Sequence, residues 1–374
     1  MRRFAGLTPP ILLVLAACTS EDSGIGTPPA DQIWTPGTAP TLLAGSRSIQ
    51  IGVILDRAAT VSYAIYNRTQ SSIDAVEIRN EAAGVGSGGT IRAGTFDVSG
   101  SEVGDTARVE LDGFNASTNI FIYLAADPAV ADPAPSDLDR VVPLSITTAV
   151  RQRAASYTSA AVSATVGYYT YLPDGHFFQP DERFPLLVFL HGAGEKGNGT
   201  TELSRVLLNG PPKRVNQGID FPFVIVSPQL PASQGGWPVL LVDELIARAK
   251  ADTRVDTTRI YITGLSLGGY GTWSYAVARP NIVAAAVPIA GAGDTGQACA
   301  MKDVPVWAFH GDADGTVSVS GSVNMVAAIN ACSPPPGVTP KLTIYPGVGH
   351  DSWTRTYDGS AGHDIYTWML GYHR

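Results

Sequence analysis

A five-residue segment in the second half of the chain carries the strongest signal for chemistry. It reads Gly-Leu-Ser-Leu-Gly over 264–268, follows the apolar run 259–263 and precedes a helical pattern that ends at Pro280. A G-x-S-x-G pattern between a strand and a helix holds its serine on a sharp turn, because the two glycines remove Cβ atoms that would clash there. Ser266 is therefore the candidate nucleophile, and the alternative is a glycine-rich junction without chemistry.

A serine hydroxyl is a weak nucleophile at neutral pH, so it needs a neighbouring base that a carboxylate holds in one tautomer. His350 is the candidate base, since it ends a Gly-Val-Gly-His segment just after a strand pattern at 341–345. The alternative is a loop histidine with no part in catalysis. The chain contains five other histidines: His176, His191, His310, His363 and His373.

The carboxylate is expected between the serine and the histidine in sequence, on a loop that follows a strand. A strand pattern at 304–309 leads into the segment His-Gly-Asp-Ala-Asp-Gly, in which Asp312 and Asp314 compete for this role. The alternative role for Asp312 is that of a turn residue bonded to its own backbone. Asp294, after an earlier strand pattern, is a more distant candidate.

Acyl transfer also needs N–H donors for the oxyanion of the tetrahedral intermediate. One donor is normally the backbone N–H just after the nucleophile, here Leu267, and the other comes from a loop after an early strand. The apolar run 184–190 is followed by His-Gly-Ala-Gly, the HGxG form of such a loop, which makes Ala193 the second candidate donor. His191 is expected to orient this loop.

Four further residues are candidates for the substrate pocket because they fall on loops expected above the carboxyl edge of the sheet, where ligands are often bound. The candidates are Glu195, Gln229, Trp237 and Trp353. The alternative for the two tryptophans is ordinary packing, and the alternative for the glutamate is a place in a solvated turn.

The hydrophobic pattern divides the body of the chain in two. Residues 41–150 show short alternating runs separated by turn clusters, including a strand predicted over 75–78, with no convincing helix. This rhythm predicts a small β-sandwich, which in length and strand spacing resembles a fibronectin type III or immunoglobulin-like module. We expect a spacer or packing partner, and the alternative is a module that binds carbohydrate or another polymer.

Residues 151–374 alternate strand-like apolar runs with longer helical patterns, which is typical of a mostly parallel sheet covered by helices on both faces. The predicted strands are 184–190, 223–227, 260–263, 284–289, 304–309 and 341–345. The predicted helices are 239–251, 267–278, 323–330 and 364–370.

The first 18 residues have the form of a secretory signal, with two arginines before a short apolar run. The run ends in Leu-Ala-Ala-Cys, which resembles the lipobox of bacterial lipoproteins and implies a lipid anchor on Cys18. By the same resemblance, the absence of aspartate at the next position favours the outer membrane or cell surface of a Gram-negative bacterium. Residues 19–40 are rich in small residues and proline, which predicts a flexible tether.

Charge and cysteines restrict the remaining possibilities. The chain has 25 Lys and Arg against 33 Asp and Glu, a formal charge of −8, so no basic field is available for nucleic acid. Cys299 and Cys332 form an even pair in an oxidising compartment, which predicts a disulfide. The cysteines show no metal-binding spacing, and oligomeric state cannot be read from the sequence.

Together the motifs HGAGEKGNG (191–199), GLSLGGYGTW (264–273) and GVGHDSW (347–353) resemble the α/β-hydrolase superfamily, in particular its secreted feruloyl and acetylxylan esterases, polyhydroxybutyrate depolymerase-like proteins and predicted peptidases. The resemblance covers about 165–374. It favours Asp314 as the acid, since related hydrolases read D-x-x-V here, although Ser318 stands where many relatives have proline.

The resemblance implies a serine carboxylic-ester hydrolase that works through an acyl-enzyme without a cofactor. Ester substrates of small or polymeric type, including feruloyl or acetyl esters of plant polysaccharide and polyesters, are expected. One alternative is a serine peptidase, because a triad recognises a carbonyl and not its leaving group. Another is a tethered glycan-binding lipoprotein whose hydrolase domain is vestigial.

Overall fold

The computed structural model describes residues 33–35, 37–86, 89–129 and 139–374. By compactness the chain divides into two units, Met1–Val150 and Arg151–Arg374. The predicted signal segment and Cys18 lie outside the described residues. Within the described ranges, no helix combines the length and apolarity needed to cross a membrane.

The first unit contains two antiparallel sheets. Its strands are β1 (Thr41–Ala44), β2 (Ile49–Ile54), β3 (Ala59–Tyr66), β4 (Arg92–Val98), β5 (Thr106–Leu111), β6 (Asn119–Pro128) and β7 (Val142–Thr147). One sheet has the order β1-β2-β5 and the other β4-β3-β6-β7. A single cluster of buried apolar side chains draws from both sheets, for example Ile51 from β2 and Ile65 from β3. The two sheets therefore share one core.

Two expectations for this part of the chain are wrong. Ile33 and Trp34, assigned to the flexible tether, are buried in the core of the first unit, because two adjacent large apolar side chains gain more by burial than by serving as a linker. The segment predicted as a strand over 75–78 begins the helix α1 (Ala75–Ala82). The Asp74 side chain caps that helix by accepting the Glu77 N–H at 2.8 Å.

The second unit contains one eight-stranded sheet with helices. The strands are β8 (Gln152–Ser159), β9 (Ala164–Tyr171), β10 (Phe184–Leu190), β11 (Val224–Pro228), β12 (Val255–Leu265), β13 (Val283–Ile289), β14 (Trp307–Gly311) and β15 (Lys341–Tyr345). The helices are α2 (Gly175–Phe178), α3 (Gly210–Asn216), α4 (Val239–Asp252), α5 (Leu267–Ala278), α6 (Ser320–Asn330), α7 (Trp353–Tyr357) and α8 (Ile365–Leu370).

The strand order is β15-β14-β13-β12-β10-β11-β9-β8. Strands β10 to β15 pair in parallel, whereas β9 pairs antiparallel with β11 and with β8. The mostly parallel α/β sheet predicted from the sequence is therefore confirmed. The carboxyl ends of β10, β12, β14 and β15 lie along one edge, so the loops after them are brought together there.

Both faces of this sheet are covered. Alternate residues of β10 point to opposite faces: Leu186 and Val188 belong to one buried cluster, while Leu187 and Phe189 belong to another. Every residue of β10 is buried. Such a strand holds the loop that follows it rigidly, which matters because that loop is the candidate oxyanion loop.

The predicted disulfide is confirmed. Cys299 and Cys332 are bonded, with their Cα atoms 5.5 Å apart. The bond joins the 3-10 helix Thr295–Met301 to the chain just beyond α6. It closes a segment that includes β14 and the two competing aspartates.

Replacing both cysteines with alanine should lower the free energy of unfolding by about 3 to 4 kcal/mol in the chain-entropy account, because the bond spans 33 residues. Urea unfolding of the wild type and the double variant, each with and without reductant, measures this. Reductant should destabilise the wild type to a similar extent and leave the variant unchanged. Equal unfolding midpoints for wild type and variant would contradict the expectation.

Candidate active site

Ser266 lies on a sharp turn between β12 and α5. Its φ of 50° and ψ of −116° place a non-glycine residue in a strained part of backbone space, which is a frequent property of functional positions. A Cβ at Gly264 would lie 2.4 Å from Gly268 O, and one at Gly268 would lie 1.8 Å from Leu190 O. The flanking glycines are thus required by close backbone approach, as the motif predicts.

His350 lies on the loop after β15 and contacts both other members of the predicted triad. Its Nε2 is 2.9 Å from Ser266 Oγ, and its Nδ1 is 2.7 Å from Asp314 Oδ2. Because a carboxylate only accepts, Nδ1 carries the hydrogen and Nε2 is left to accept the serine proton. The structure therefore brings Ser266, His350 and Asp314 into one hydrogen-bonded chain.

The carboxylate of Asp314 is fully buried and accepts several hydrogen bonds. Its Oδ1 accepts the N–H groups of Thr316 at 2.8 Å and Val317 at 2.9 Å. Burial by itself raises the pKa of this carboxyl, but the hydrogen bonds from His350 and from the two backbone N–H groups outweigh burial and leave the pKa below its ordinary value. Asp314 is consequently ionised at neutral pH.

The other two aspartates have different partners. Asp312 is exposed and lies in the turn after β14, and its Oδ1 accepts the Gly347 N–H at 2.6 Å, so its side chain joins the two loops. Asp294 caps the 3-10 helix Thr295–Met301 by accepting the Gly296 N–H at 2.9 Å. Neither of these hydrogen bonds involves the imidazole of His350.

The loop after β10 lies against the nucleophile. A Cβ built on Gly192 would be 3.5 Å from the Cβ of Ser266 and 2.8 Å from Cδ1 of Leu265, so any other residue here would displace the Leu265 side chain. Ala193 begins a 3-10 turn and Leu267 begins α5. Backbone N–H groups in the first turn of a helix have no partner within the helix, so both predicted donors stand at positions where an N–H is free to bind an oxyanion.

His191 is completely buried and fixes this loop. Its Nδ1 donates to Gly192 O at 2.6 Å, and its Nε2 accepts the Leu230 N–H at 2.9 Å. Burial, aided by the charge of Lys196, lowers the pKa of His191 to about 4, so the ring is neutral at pH 7. This arrangement agrees with the expected orienting role.

This buried imidazole should make the folded protein sensitive to acid. The pKa of His191 is near 6.5 in the unfolded chain and about 4 in the folded protein. At pH values between these two, the unfolded state binds a proton that the folded state does not. The free energy of unfolding should therefore fall as pH decreases through that window, by up to about 3 kcal/mol at 1.36 kcal/mol per unit.

Urea unfolding at pH 7 and pH 4.5, for wild type and His191→Gln, measures this contribution. His176, whose pKa burial also lowers to about 4, is present in both proteins and cancels in the comparison. We expect the variant to lose less stability than the wild type between the two pH values. Equal losses would show that His191 does not carry this effect.

Two pocket candidates prove to be structural. Trp237 is buried, donates its indole N–H to His191 O at 3.1 Å and packs edge-on against the His191 ring, so it is not an exposed loop aromatic. Gln229 is fully buried; its amide donates to Glu195 O and Glu202 O and accepts the Gly199 N–H. Both side chains hold the candidate oxyanion loop in place by hydrogen bonds from the protein interior, and neither is available to substrate.

The other two pocket candidates lie beside neighbours of the nucleophile, Glu195 beside Gly192 and Trp353 beside His350. Glu195 is buried, not a solvated turn residue, and its Oε2 lies 3.3 Å from the position of a Gly192 Cβ. Its Oε1 accepts from the Asn209 amide. Trp353 packs edge-on against His350 at 5.0 Å between ring centres, and its indole N–H bonds Asn209 Oδ1 at 3.3 Å. Asn209, which sequence reasoning missed, thus links the two.

Sequence reasoning also missed His310, the last residue but one of β14. Its ring is fully buried, and its Nε2 lies 2.9 Å from Val317 O and 3.2 Å from Asp314 Oδ2. The available signal was its i, i+4 spacing to Asp314 within the segment His-Gly-Asp-Ala-Asp. Within the described ranges, no group of three or more His, Cys, Asp or Glu side chains is arranged to hold a metal ion.

The sheet order and the strand–turn–helix at Ser266 define the second unit as an α/β-hydrolase fold. A crystal structure of a thermostable esterase matches 89% of this chain and 98% of its own, with a TM-score of 0.50 and 20% identity, which supports a common fold. A family model described as the Dienelactone hydrolase family matches residues 238–366, a span that includes all three residues of the hydrogen-bonded chain.

Curated relatives match shorter stretches. Feruloyl esterase D of Neurospora crassa is 30% identical over 143 residues, which is 37% of this chain and 47% of that protein. A bifunctional acetylxylan esterase/xylanase of Neocallimastix patriciarum is 30% identical over 98 residues, 25% of this chain and 15% of that one. The chain thus spans about half the length of the first relative and much less of the second.

Proposed function

We propose that this protein is a serine carboxylic-ester hydrolase. The observation that carries the proposal is the hydrogen-bonded chain from Ser266 Oγ through His350 to Asp314, with distances of 2.9 and 2.7 Å. The first of these residues, the half-buried Ser266, lies on a strained turn at the carboxyl edge of a parallel sheet. Nucleophile, orienting acid and base also follow one another along the sequence in the order of the α/β hydrolases.

In the first half of the reaction, Ser266 Oγ attacks the ester carbonyl while His350 Nε2 takes the hydroxyl proton. The carbonyl oxygen becomes an oxyanion, which the N–H groups of Ala193 and Leu267 stabilise. Asp314 stabilises the imidazolium that forms and does not take its proton. The tetrahedral intermediate then expels the alcohol, which receives the proton from His350, and an acyl-enzyme remains.

In the second half, water attacks the acyl-enzyme and gives a proton to His350 Nε2. The new tetrahedral intermediate breaks its bond to Ser266 Oγ, which takes the proton back, and the carboxylic acid is released. The side chain of Trp353, edge-on against His350, restricts the imidazole to the plane in which both transfers occur. Each step balances without a further reactant.

For the substrate class, the names of the relatives favour esters of aromatic or acetic acid on polysaccharide, and a third relative, poly(3-hydroxyalkanoate) depolymerase C of Paucimonas lemoignei, adds polyesters as candidates. Its match extends over only 59 residues at 36% identity. We place feruloyl and acetyl esters first, because the matches to the feruloyl and acetylxylan esterases extend over 143 and 98 residues, against 59 for the depolymerase.

Two further parts of the proposal concern the rest of the chain. The lipobox-like segment before Cys18 supports a lipid-anchored, extracytoplasmic protein of a Gram-negative bacterium. Seven strands in two sheets around one core support an immunoglobulin-like first domain. We propose that it serves as a spacer, with binding of carbohydrate or another polymer as the alternative.

Turnover of four ester substrates and one peptide tests the activity. The soluble chain lacking residues 1–18 is assayed with p-nitrophenyl acetate and butyrate, methyl ferulate, acetylated xylan and a peptide p-nitroanilide. We expect hydrolysis of the esters and none, or far slower hydrolysis, of the anilide. Faster cleavage of the anilide would favour a peptidase, and inactivity of the folded protein on all five would favour the glycan-binding alternative.

A further inference from the structure

We infer that His310 is a positioning residue of the active site, which holds the carboxylate of Asp314 in line with His350. The inference rests on the proposed function, since it assigns Asp314 the part of the orienting acid. It adds a second histidine to the site, acting through the aspartate and touching neither substrate nor nucleophile.

The position of His310 makes it a rigid support. It stands near the carboxyl end of β14, which is paired with β13 and β15, and its side chain has no exposure to solvent. Asp314 follows four residues later on a loop that leaves the sheet and contains Gly311 and Gly315. The start of the loop is bonded to Tyr345 O and Val348 O through the N–H groups of Asp312 and Ala313. The ring of His310 supports the part that follows, where the Asp314 carboxylate lies.

Both ring nitrogens of His310 are engaged. Nε2 carries a hydrogen, because it is bonded to the acceptor Val317 O at 2.9 Å, and the same nitrogen lies 3.2 Å from Asp314 Oδ2. Nδ1 lies 2.8 Å from the hydroxyl of Ser322 on α6, which is itself 3.2 Å from Gly291 O. Ser322 of α6 therefore orients the imidazole at Nδ1, and Nε2 binds the loop that carries Asp314.

The consequence for Asp314 is a carboxylate that is held at both oxygens. Oδ1 accepts the N–H groups of Thr316 and Val317, while Oδ2 accepts from His350 and lies 3.2 Å from His310 Nε2. The same Nε2 of His310 also holds the carbonyl of Val317, so it fixes the loop on both sides of the carboxylate. Rotation of Asp314 away from His350 would break bonds on both oxygens.

Catalysis depends on this orientation because proton transfer from Ser266 requires His350 in one tautomer and one plane. A displacement of about 1 Å at a catalytic group can cost about a hundredfold in rate. Loss of the His310 contact should therefore lower kcat and leave KM nearly unchanged, since no part of His310 reaches the substrate.

Two amide variants separate positioning from simple packing. The side-chain nitrogen of glutamine reaches about as far as ring Nε2, whereas that of asparagine reaches only as far as ring Nδ1. His310→Gln retains a donor toward Asp314, and His310→Asn loses it. We expect kcat for ester hydrolysis to fall about 10- to 100-fold in His310→Asn, with most of it recovered in His310→Gln.

A double variant identifies the route of the effect. If His310 acts through the aspartate, adding His310→Asn to an Asp314→Asn protein should reduce kcat by less than about a further twofold. The unfolding temperature of the double variant should still fall below that of Asp314→Asn, because the contacts of His310 are lost. A full additional loss in that background, or an unchanged kcat in a folded His310→Asn protein, would overturn the inference. Ser266→Ala in the same assay distinguishes this from failure of the proposed hydrolase activity, since it tests that activity alone.

Discussion

Replacing Ser266 with alanine should reduce kcat for ester hydrolysis by at least about a thousandfold. The physical reason is that alanine has no oxygen to form the acyl-enzyme, so the His350 imidazole is left without its proton donor. The proposed oxyanion donors, the N–H groups of Ala193 and Leu267, remain in place, so they should still stabilise the oxyanion formed when water attacks the ester directly. Steady-state hydrolysis of p-nitrophenyl acetate by the two proteins measures the loss.

Ser274→Ala is the matched control for this experiment. Ser274 lies on the same helix α5, is exposed, and should tolerate alanine with full activity. Thermal unfolding of both variants should stay close to that of the wild type, because alanine can occupy the strained turn as serine does. Retention of ester hydrolysis in a folded Ser266→Ala protein would show that the hydrolase chemistry belongs to another residue.

The arrangement of the site could be predicted from sequence to the extent that local patterns encode it. Strand β10, helix α5 and strand β15 begin and end where the hydrophobic pattern places them, because each has a near-continuous apolar run or a clear start signal. Since the loops after parallel strands meet at one edge, placing Ser266 and His350 after such strands also places them near each other.

What the sequence could not supply is the identity of partners far apart along the chain. His310 is distinguished from an ordinary core histidine only by its contact with the Asp314 carboxylate. That contact depends on how the loop after β14 folds back onto the strand. Trp237 and Gln229 illustrate the reverse case. Both lie on a loop near the site, yet both point inward to hydrogen-bond partners of the oxyanion loop, and no composition or spacing distinguishes the two directions.

The missed elements have a similar cause. Strands β8 and β9 form an antiparallel hairpin in which β8 is largely exposed, so it lacks the apolar run that identifies a buried strand. The segment Ala75–Ile78 is a run of only four residues, three of them apolar, which fits a strand and a helix equally well. Its capping residue, Asp74, and the i, i+3 spacing of the buried Ala75 and Ile78 decide for the helix.

Asp314→Asn should lower kcat about ten-thousandfold while the fold remains intact. The two backbone N–H groups at Oδ1 of Asp314 determine how an amide would sit, since they require the asparagine oxygen to stay on their side. The NH2 group must then face Nδ1 of His350, which has to give up its hydrogen and accept. The remaining hydrogen moves to Nε2, where it faces Ser266 Oγ, and the base can no longer take the serine proton.

Asp312→Asn is the control that decides between the two aspartates, because it makes the same chemical change two residues away. Asp312 is exposed and serves only to accept the Gly347 N–H at 2.6 Å, a role that an asparagine oxygen fills equally well. We expect its kcat to stay within about threefold of wild type, since surface substitutions of this kind change little. If the large loss followed Asp312→Asn instead, the acid would have been assigned to the wrong aspartate. His310 would then support only the loop, because its influence on the rate requires that the carboxylate it holds is the one that orients His350.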